Sequence, residues 1–195
     1  LGTQMIAKGL DFPRVTLVGV LDADVSLHLP DFRAAERTYQ LIVQVAGRAG
    51  RGVRPGEVLV QTMTPEHRAI VAASGHDERA FLDQELAERR ETRYPPFARL
   101  VALLFSGKDV AEVERAATAT ADALAAEAEA SGVAVLGPAP QTLAKLRGQH
   151  RWHLLLKGEV SRAVRVIAAK AVEAHESGKG ARAVPVAVAN AVGSG

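Results

Sequence analysis

Two arginines three residues apart, each directly behind a glycine, end the octet Gln44-Val45-Ala46-Gly47-Arg48-Ala49-Gly50-Arg51. Glycine lets a backbone pass close to a ligand. Arg48 and Arg51 offer planar, permanently charged forks that suit phosphate oxygens. A nucleotide hydrolase needs such a pair to stabilise charge on a transferring γ-phosphate. A second reading stays open here, a Gly/Arg-rich surface loop that only caps the preceding helix. Further along, Lys145, Arg147 and Arg151 stand beside the chain's one tryptophan, Trp152. That segment can grip phosphates and stack on an exposed base, or it is a solvated loop with Trp152 anchored in a core.

The elements that must position these groups can be read from periodicity and breakers. Residues 33–45 form the helix that delivers the octet, with Asp31 able to cap it and apolar positions at Ala34, Leu41 and Val45. Residues 15–21 are a continuous aliphatic run, fit for a strand buried on both faces. A second strand spans 56–62, and Thr64-Pro65-Glu66 opens another helix with proline in its first turn. Alternation of this kind implies parallel strands with crossover helices. Residues 77–91 read as a charged, solvated connector helix that runs toward the stop signal Pro95-Pro96.

Beyond Phe97 the order is strand (99–105), helix, strand (133–136), strand (152–156), helix (161–175) and strand (184–192). Asp109 and Glu112 cap the first of these helices, and Gly132 ends it. The strand at 133–136 runs into a Gly137-Pro138-Ala139-Pro140 turn. This is the split βαβ pattern of a ferredoxin-like domain. The expected division is 1–75, a helical connector at 76–96, and 97–195.

Bulk properties narrow the classes. At 195 residues the chain can bury one large core or two small ones. With one Trp, two Tyr and five Phe, those cores must be built from Ala, Val and Leu. Its apolar runs are far shorter than the roughly 18–20 residues that span a bilayer. There is no cysteine, hence no disulfide or thiolate metal site in these residues. A net charge of +2 is too small to argue nucleic-acid binding, which must come from local arrangement. Leu21-Asp22-Ala23-Asp24 imitates an ATPase magnesium site. No phosphate loop of the Gly-x-x-x-x-Gly-Lys-Ser/Thr type accompanies it, and no histidine has a second ligand at a convincing spacing, so no metal site is expected.

Thr3, Lys8-Gly9 and Asp11 resemble motif V of superfamily 2 helicases, and the 44–51 octet resembles motif VI. Leu21-Asp22-Ala23-Asp24, Asp31-Phe32-Arg33-Ala34-Ala35-Glu36-Arg37, Tyr94-Pro95-Pro96-Phe97 and Leu136-Gly137-Pro138-Ala139-Pro140 are similar to the PriA family of replication-restart helicases. The resemblance runs from the first residue to about Lys157. At the closing strand the family's Asp-Val-Asp-Pro is replaced by Ala187-Val188-Ala189-Asn190.

The resemblance implies an α/β fold, part of a RecA-like second helicase lobe followed by a ferredoxin-like βαββαβ domain. Arg48 and Arg51 become the arginine-finger pair, with Gly9, Asp11, Gln44 and Gly47 near the nucleotide. Thr3, Gln4 and Lys8 face the tracked DNA strand, and Lys145, Arg147, Arg151 and Trp152 meet branched DNA. Arg162 is the candidate for the terminal carboxylate of the single-stranded-DNA-binding protein.

ATP and Mg2+ are expected to be held mainly by a first lobe upstream of this chain, which reads as a carboxy-terminal fragment, inactive alone. The family's zinc cysteines likewise fall before motif V. Primosome proteins are implied as partners, with no membrane, in the nucleoid-associated bacterial cytoplasm. The competing class is a binding module without a motor, a degenerate relative that only recruits DNA and partners.

Overall fold

The structure, a computed structural model, describes residues 15–47, 49, 56–177 and 184–190. The chain divides into two compact units, Leu1–Glu88 and Arg89–Gly195.

In the first unit, β1 (Leu17–Val20) and β2 (Glu57–Val60) pair in parallel, Leu17 opposite Glu57 and Val20 opposite Val60. Between them lie the one-turn helix α1 (Asp24–Leu27) and α2 (Ala34–Ala46); after them come α3 (Arg68–Ser74) and α4 (Glu78–Glu91). Tyr39 and Ile42 of α2, Ala69 and Ile70 of α3 and Phe81 of α4 share one core, which Val60 joins. The Tyr39 and Phe81 rings stack with centroids 4.3 Å apart.

Three expectations need correction here. The first strand is not buried on both faces: Leu17 and Leu59, on one side of the pair, are 55% and 61% exposed. Among the described residues helix α2 packs on the strands, and the face carrying those leucines stays open. The helix expected at Thr64 starts at Arg68, because the Thr64 hydroxyl is drawn to Asp24 and His67 serves as cap, its ring accepting from Ala69 N–H. The connector α4 is solvated on one side only. Arg79 and Asp83 are exposed, whereas Phe81 and Glu85 are buried, and Arg68 Nη2 donates to Glu85 across 2.8 Å.

The second unit runs β3 (Arg99–Gly107), α5 (Val110–Ala130), β4 (Ala134–Leu146), β5 (Gln149–Gly158), α6 (Ser161–Ser177) and β6 (Val186–Asn190). Its strands form one antiparallel sheet in the order β4-β5-β3-β6. Leu103, Phe105, Leu154 and Leu156 project from the sheet onto Val113, Ala117 and Leu124 of α5 and Val164, Ile167 and Ala171 of α6. Ala117, Ala128 and Ala171 are fully buried at this contact, so small side chains supply much of a core poor in aromatics.

Local signals set the ends of α5. The Asp109 carboxylate accepts from the Ala111 and Glu112 N–H groups, satisfying two of the donors a helix start leaves open. At the other end Gly132 has φ +68, its N–H donates to Glu129 O, and Val133 N–H donates to Ala128 O. This is a Schellman closure, which needs a left-handed residue at that position. His175 of α6 holds the far edge: Nε2–H donates to Val184 O at 2.6 Å, and the ring meets Phe105 edge-on.

The Gly-Pro-Ala-Pro segment is not a turn. β4 continues through it for 13 residues, with register breaks between Leu136 and Ala139 and again between Pro140 and Lys145. Proline lacks the N–H that an inner strand would need. β4 is an edge strand, so two prolines and two bulges are tolerated there.

Candidate functional site

Of the octet, Gln44 is exposed in the last turn of α2 and Gly47 follows it. Gly47 has φ −64, and a Cβ added there would meet only the Val43 and Gln44 carbonyls at 3.6 and 3.7 Å. The helix end therefore does not use this glycine as a left-handed cap. Thr3, Gln4, Lys8, Gly9, Asp11, Arg48 and Arg51 lie outside the described residues.

Asp24 and Asp31, near the strand ends of the first unit, are committed to the fold. Asp24 accepts from Thr62 Oγ1 at 3.0 Å, Thr64 Oγ1 at 2.7 Å and Met63 N–H at 2.8 Å. The Thr64 hydroxyl first, then the Met63 amide, hold its carboxyl below the usual carboxylate range. The clamp joins the chain leaving β2 to the chain leaving β1. Asp31 accepts from the Arg33 amide and guanidinium and, at 2.9 Å, from Arg37 Nη1. Burial opposes its charge, but the Arg33 amide and guanidinium, with Arg37, hold its carboxyl below the usual range. No group of three His, Cys, Asp or Glu side chains is gathered to hold a metal among the described residues, and no described helix is long and apolar enough to cross a membrane.

In the second unit the predicted basic loop is the end of a β-hairpin. Lys145 stands opposite His150 and Leu146 opposite Gln149, so Arg147-Gly148 is a two-residue turn. Both turn residues have positive φ, +50 and +80, as a type I′ turn requires. Asn or Gly is usual at the first of these positions. An arginine there costs about 1–2 kcal/mol against a relaxed backbone. The sequence signal was the dipeptide Arg147-Gly148 between two alternating runs, disguised by arginine in the place of Asn.

Directly opposed residues of an antiparallel pair share a face. Lys145 and His150 therefore lie on one side of the hairpin, and Leu146, Gln149 and Arg151 on the other. Trp152 is on the core-facing side, opposite Phe105 and partly buried against the cluster beneath the sheet. Lys145, Arg147 and Arg151 have no carboxylate partner among the described residues. Sequence reasoning passed over Leu143 and Leu146, which are 62% and 45% exposed at this end. Arg162 is exposed in the first turn of α6, at the start of a different element.

Lys157, also basic and on β5, is used differently. Its Nζ donates to Thr92 O at 3.1 Å and sits 4.6 Å from the Tyr94 ring centre. With Arg89 donating to Pro95 O and Arg90 over the Phe97 ring, it pins the Tyr94-Pro95-Pro96-Phe97 segment to the unit.

Comparison with known proteins places this arrangement. The family model described as Primosomal protein N C-terminal domain matches residues 90–189, just over half of the chain. The Replication restart protein PriA of Bacillus subtilis (strain 168) is 48% identical over 157 residues, covering 80% of this chain and 19% of that protein. Its counterpart in Synechocystis is 44% identical over 156 residues, with the same two shares. The protein of the same name from Treponema pallidum is 48% identical over 157 residues, 80% of this chain and 24% of that one. The chain thus spans about a fifth to a quarter of the length of these relatives. The chain belongs to the Primosomal protein N C-terminal domain family.

Proposed function

We propose that this chain is part of an ATP-dependent 3′-to-5′ DNA helicase that recognises stalled or branched replication forks and starts primosome assembly for replication restart. The observation that carries the reading is the high identity, across 80% of the chain, to proteins named for replication restart. The first unit serves as part of a RecA-like second lobe, consistent with a parallel strand pair between helices. The second is a ferredoxin-like domain, consistent with its βαββαβ order and strand sequence β4-β5-β3-β6.

In this reading Arg48 and Arg51 are the arginine fingers, which stabilise charge on the transferring phosphoryl group and supply about 10³–10⁵ in rate. Gly9, Asp11, Gln44 and Gly47 approach the nucleotide. Thr3, Gln4 and Lys8 track one DNA strand through its phosphates, without reading bases. Lys145, Arg147 and Arg151 hold phosphates of the branch, with Trp152 keeping β5 in register beneath them and offering one edge to a base. Arg162 takes the terminal carboxylate of the single-stranded-DNA-binding protein, and primosome proteins dock on the assembled complex.

Asp24, in the segment that imitates a magnesium site, is occupied by three hydrogen bonds. In this reading Mg2+ and zinc are held by other parts of the parent protein, which works in the nucleoid-associated cytoplasm.

The test is made in the full-length parent. Arg48→Ala and Arg51→Ala should each lower DNA-stimulated ATP turnover by about 10³ or more while DNA binding persists, because the lost charge acts chiefly in the transition state. The 195-residue chain alone should not hydrolyse ATP. Near wild-type turnover in both variants, or turnover by the chain alone, would overturn the assignment.

A further inference from the structure

We propose that the tip of the β4–β5 hairpin is a wedge for a nucleic-acid junction. Leu143 and Leu146 enter between bases where paired strands part, and Lys145, Arg147 and Arg151 hold the phosphates of the two diverging strands. The inference rests on the reading that this hairpin contacts DNA, and it specifies the structure taken and the way it is held.

Four observations converge on the tip. Its end, Leu146 to Gln149, lies past β3, whose last paired residue, Gly107, stands opposite His150, while Arg151 stands opposite Ser106 and Leu143 falls in the bulge between Pro140 and Lys145. The turn is built on an arginine in the left-handed region, which sets Arg147 at the apex. Leu143 and Leu146 are exposed beside it and belong to neither hydrophobic core. Finally, no Asp or Glu occurs between Glu129 and Glu159, in a chain with 22 acids. A stretch of that length without one carboxylate leaves its cations uncompensated and favours a polyanion.

The distribution of these groups selects a junction over a continuous duplex. Lys145 lies on one face of the hairpin, Arg151 on the other and Arg147 at the end. A single phosphate row would engage one face and leave the rest in water. Two strands diverging around the hairpin present phosphates to both faces at once, and the exposed leucines beside the Arg147-Gly148 turn then meet the last base step. Apolar side chains inserted at a base step unstack it in return for wider contact, and the cost is least where pairing has already ended.

The experiment uses the 195-residue chain and three DNAs that share one sequence: a fork, a continuous duplex and a single strand. 2-Aminopurine, which brightens on unstacking, is placed at the fork junction and at the same step of the duplex. Binding should raise emission at the fork junction and leave the duplex step unchanged. Leu143→Ser with Leu146→Ser should abolish the rise and lower the preference for fork over duplex by about tenfold, with the salt dependence kept. Lys145→Ala, Arg147→Ala and Arg151→Ala together should weaken fork and duplex alike and flatten the log–log salt slope on duplex by about 0.9 per lost contact.

All these side chains lie outside the cores, and Trp152 emission checks the fold. Salt-dependent binding with a silent junction probe, or unchanged fork preference in the leucine variant, would overturn the wedge and leave the DNA contact standing. Equal affinity and slope for the triple variant and the parent chain, or no binding to any of the DNAs, would remove the DNA contact at the hairpin and the wedge together.

Discussion

The two units are both α/β, and they differ in how much of their own apolar surface they close. The second buries Leu103, Phe105, Val113, Leu154, Leu156, Val164 and Ile167 completely between one sheet and two helices. The first packs its helices on one side of two strands and leaves Leu17, Leu21, Leu59 and Met63 open. A parallel sheet is ordinarily covered on both faces. Among the described residues, the first unit covers one face of its strand pair, while the second closes a core between its sheet and two helices. The largest effect should follow from that difference. Residues 89–195 expressed alone should unfold cooperatively in urea, followed by Trp152, whereas residues 1–88 alone should lack dispersed amide resonances. A folded 1–88 segment would show that the open face is not a deficit.

The next test asks whether the units unfold separately. Leu154→Ala removes a fully buried side chain from the second core and should cost about 2–5 kcal/mol. Trp152 is the chain's one tryptophan, so its emission should report that loss as an earlier urea midpoint. Ile42→Ala, a similar truncation in the first core, should leave the Trp152 transition in place. If both variants shift that transition equally, the units unfold as one body and the contrast between them loses its energetic meaning.

Legibility from sequence follows the range of the forces involved. Asp109 and Gly132 bracket α5 through bonds spanning a few residues and were read correctly, whereas Glu112 offers its backbone N–H to Asp109 rather than the reciprocal side-chain cap expected. Phe81 was read as part of a solvated helix because its partner Tyr39 is 42 residues away, with no local sign of the stack. Residues 137–140 looked like a turn because the tolerance for proline depends on β4 being an edge strand, which only the sheet order reveals. For the candidate site, three cations and a tryptophan were visible as a cluster. Their division between two faces was not, because it depends on the register across the Arg147-Gly148 turn.

A smaller effect tests how α4 is held in the first unit. Glu85 is buried, and Arg68 donates to it as well as to Glu88. Glu85→Leu fills the space but leaves Arg68 with a weaker set of partners, and Arg68 is partly open to water. The loss should be about 1–3 kcal/mol. In the full chain it should appear as about 5- to 150-fold faster amide exchange in α3, with the Trp152 transition unchanged. Exchange in α3 that does not respond would mean the ion pair contributes nothing to docking α4.

The smallest expected effect concerns pH and belongs to the second unit. His153 lies on β5 between Leu104 and Ala139, and its Nδ1 is buried without a hydrogen-bond partner among the described residues. Burial holds its pKa below the ordinary histidine value; a hydrogen bond at the Ala139 backbone opposes this in part. The folded pKa is thus lower than the unfolded one near 6.5. Above that value both states are neutral and the stability is fully present. As pH falls below it the unfolded chain takes up the proton first, and stability is lost until the folded pKa has been passed. The ring is half open to water, so solvent screens the effect. Trp152-monitored urea midpoints between pH 7.5 and 5 should fall with acid, and His153→Leu should remove up to one proton's worth of that slope. His150 and His175 are common to both proteins, so the difference isolates position 153. The carboxyls of Asp24 and Asp31, held low in the first unit, lose their contribution only in more acid solution. An unchanged slope in His153→Leu would mean that the imidazole already sits in water, and that this side of the sheet is as open as the leucine face of the first unit.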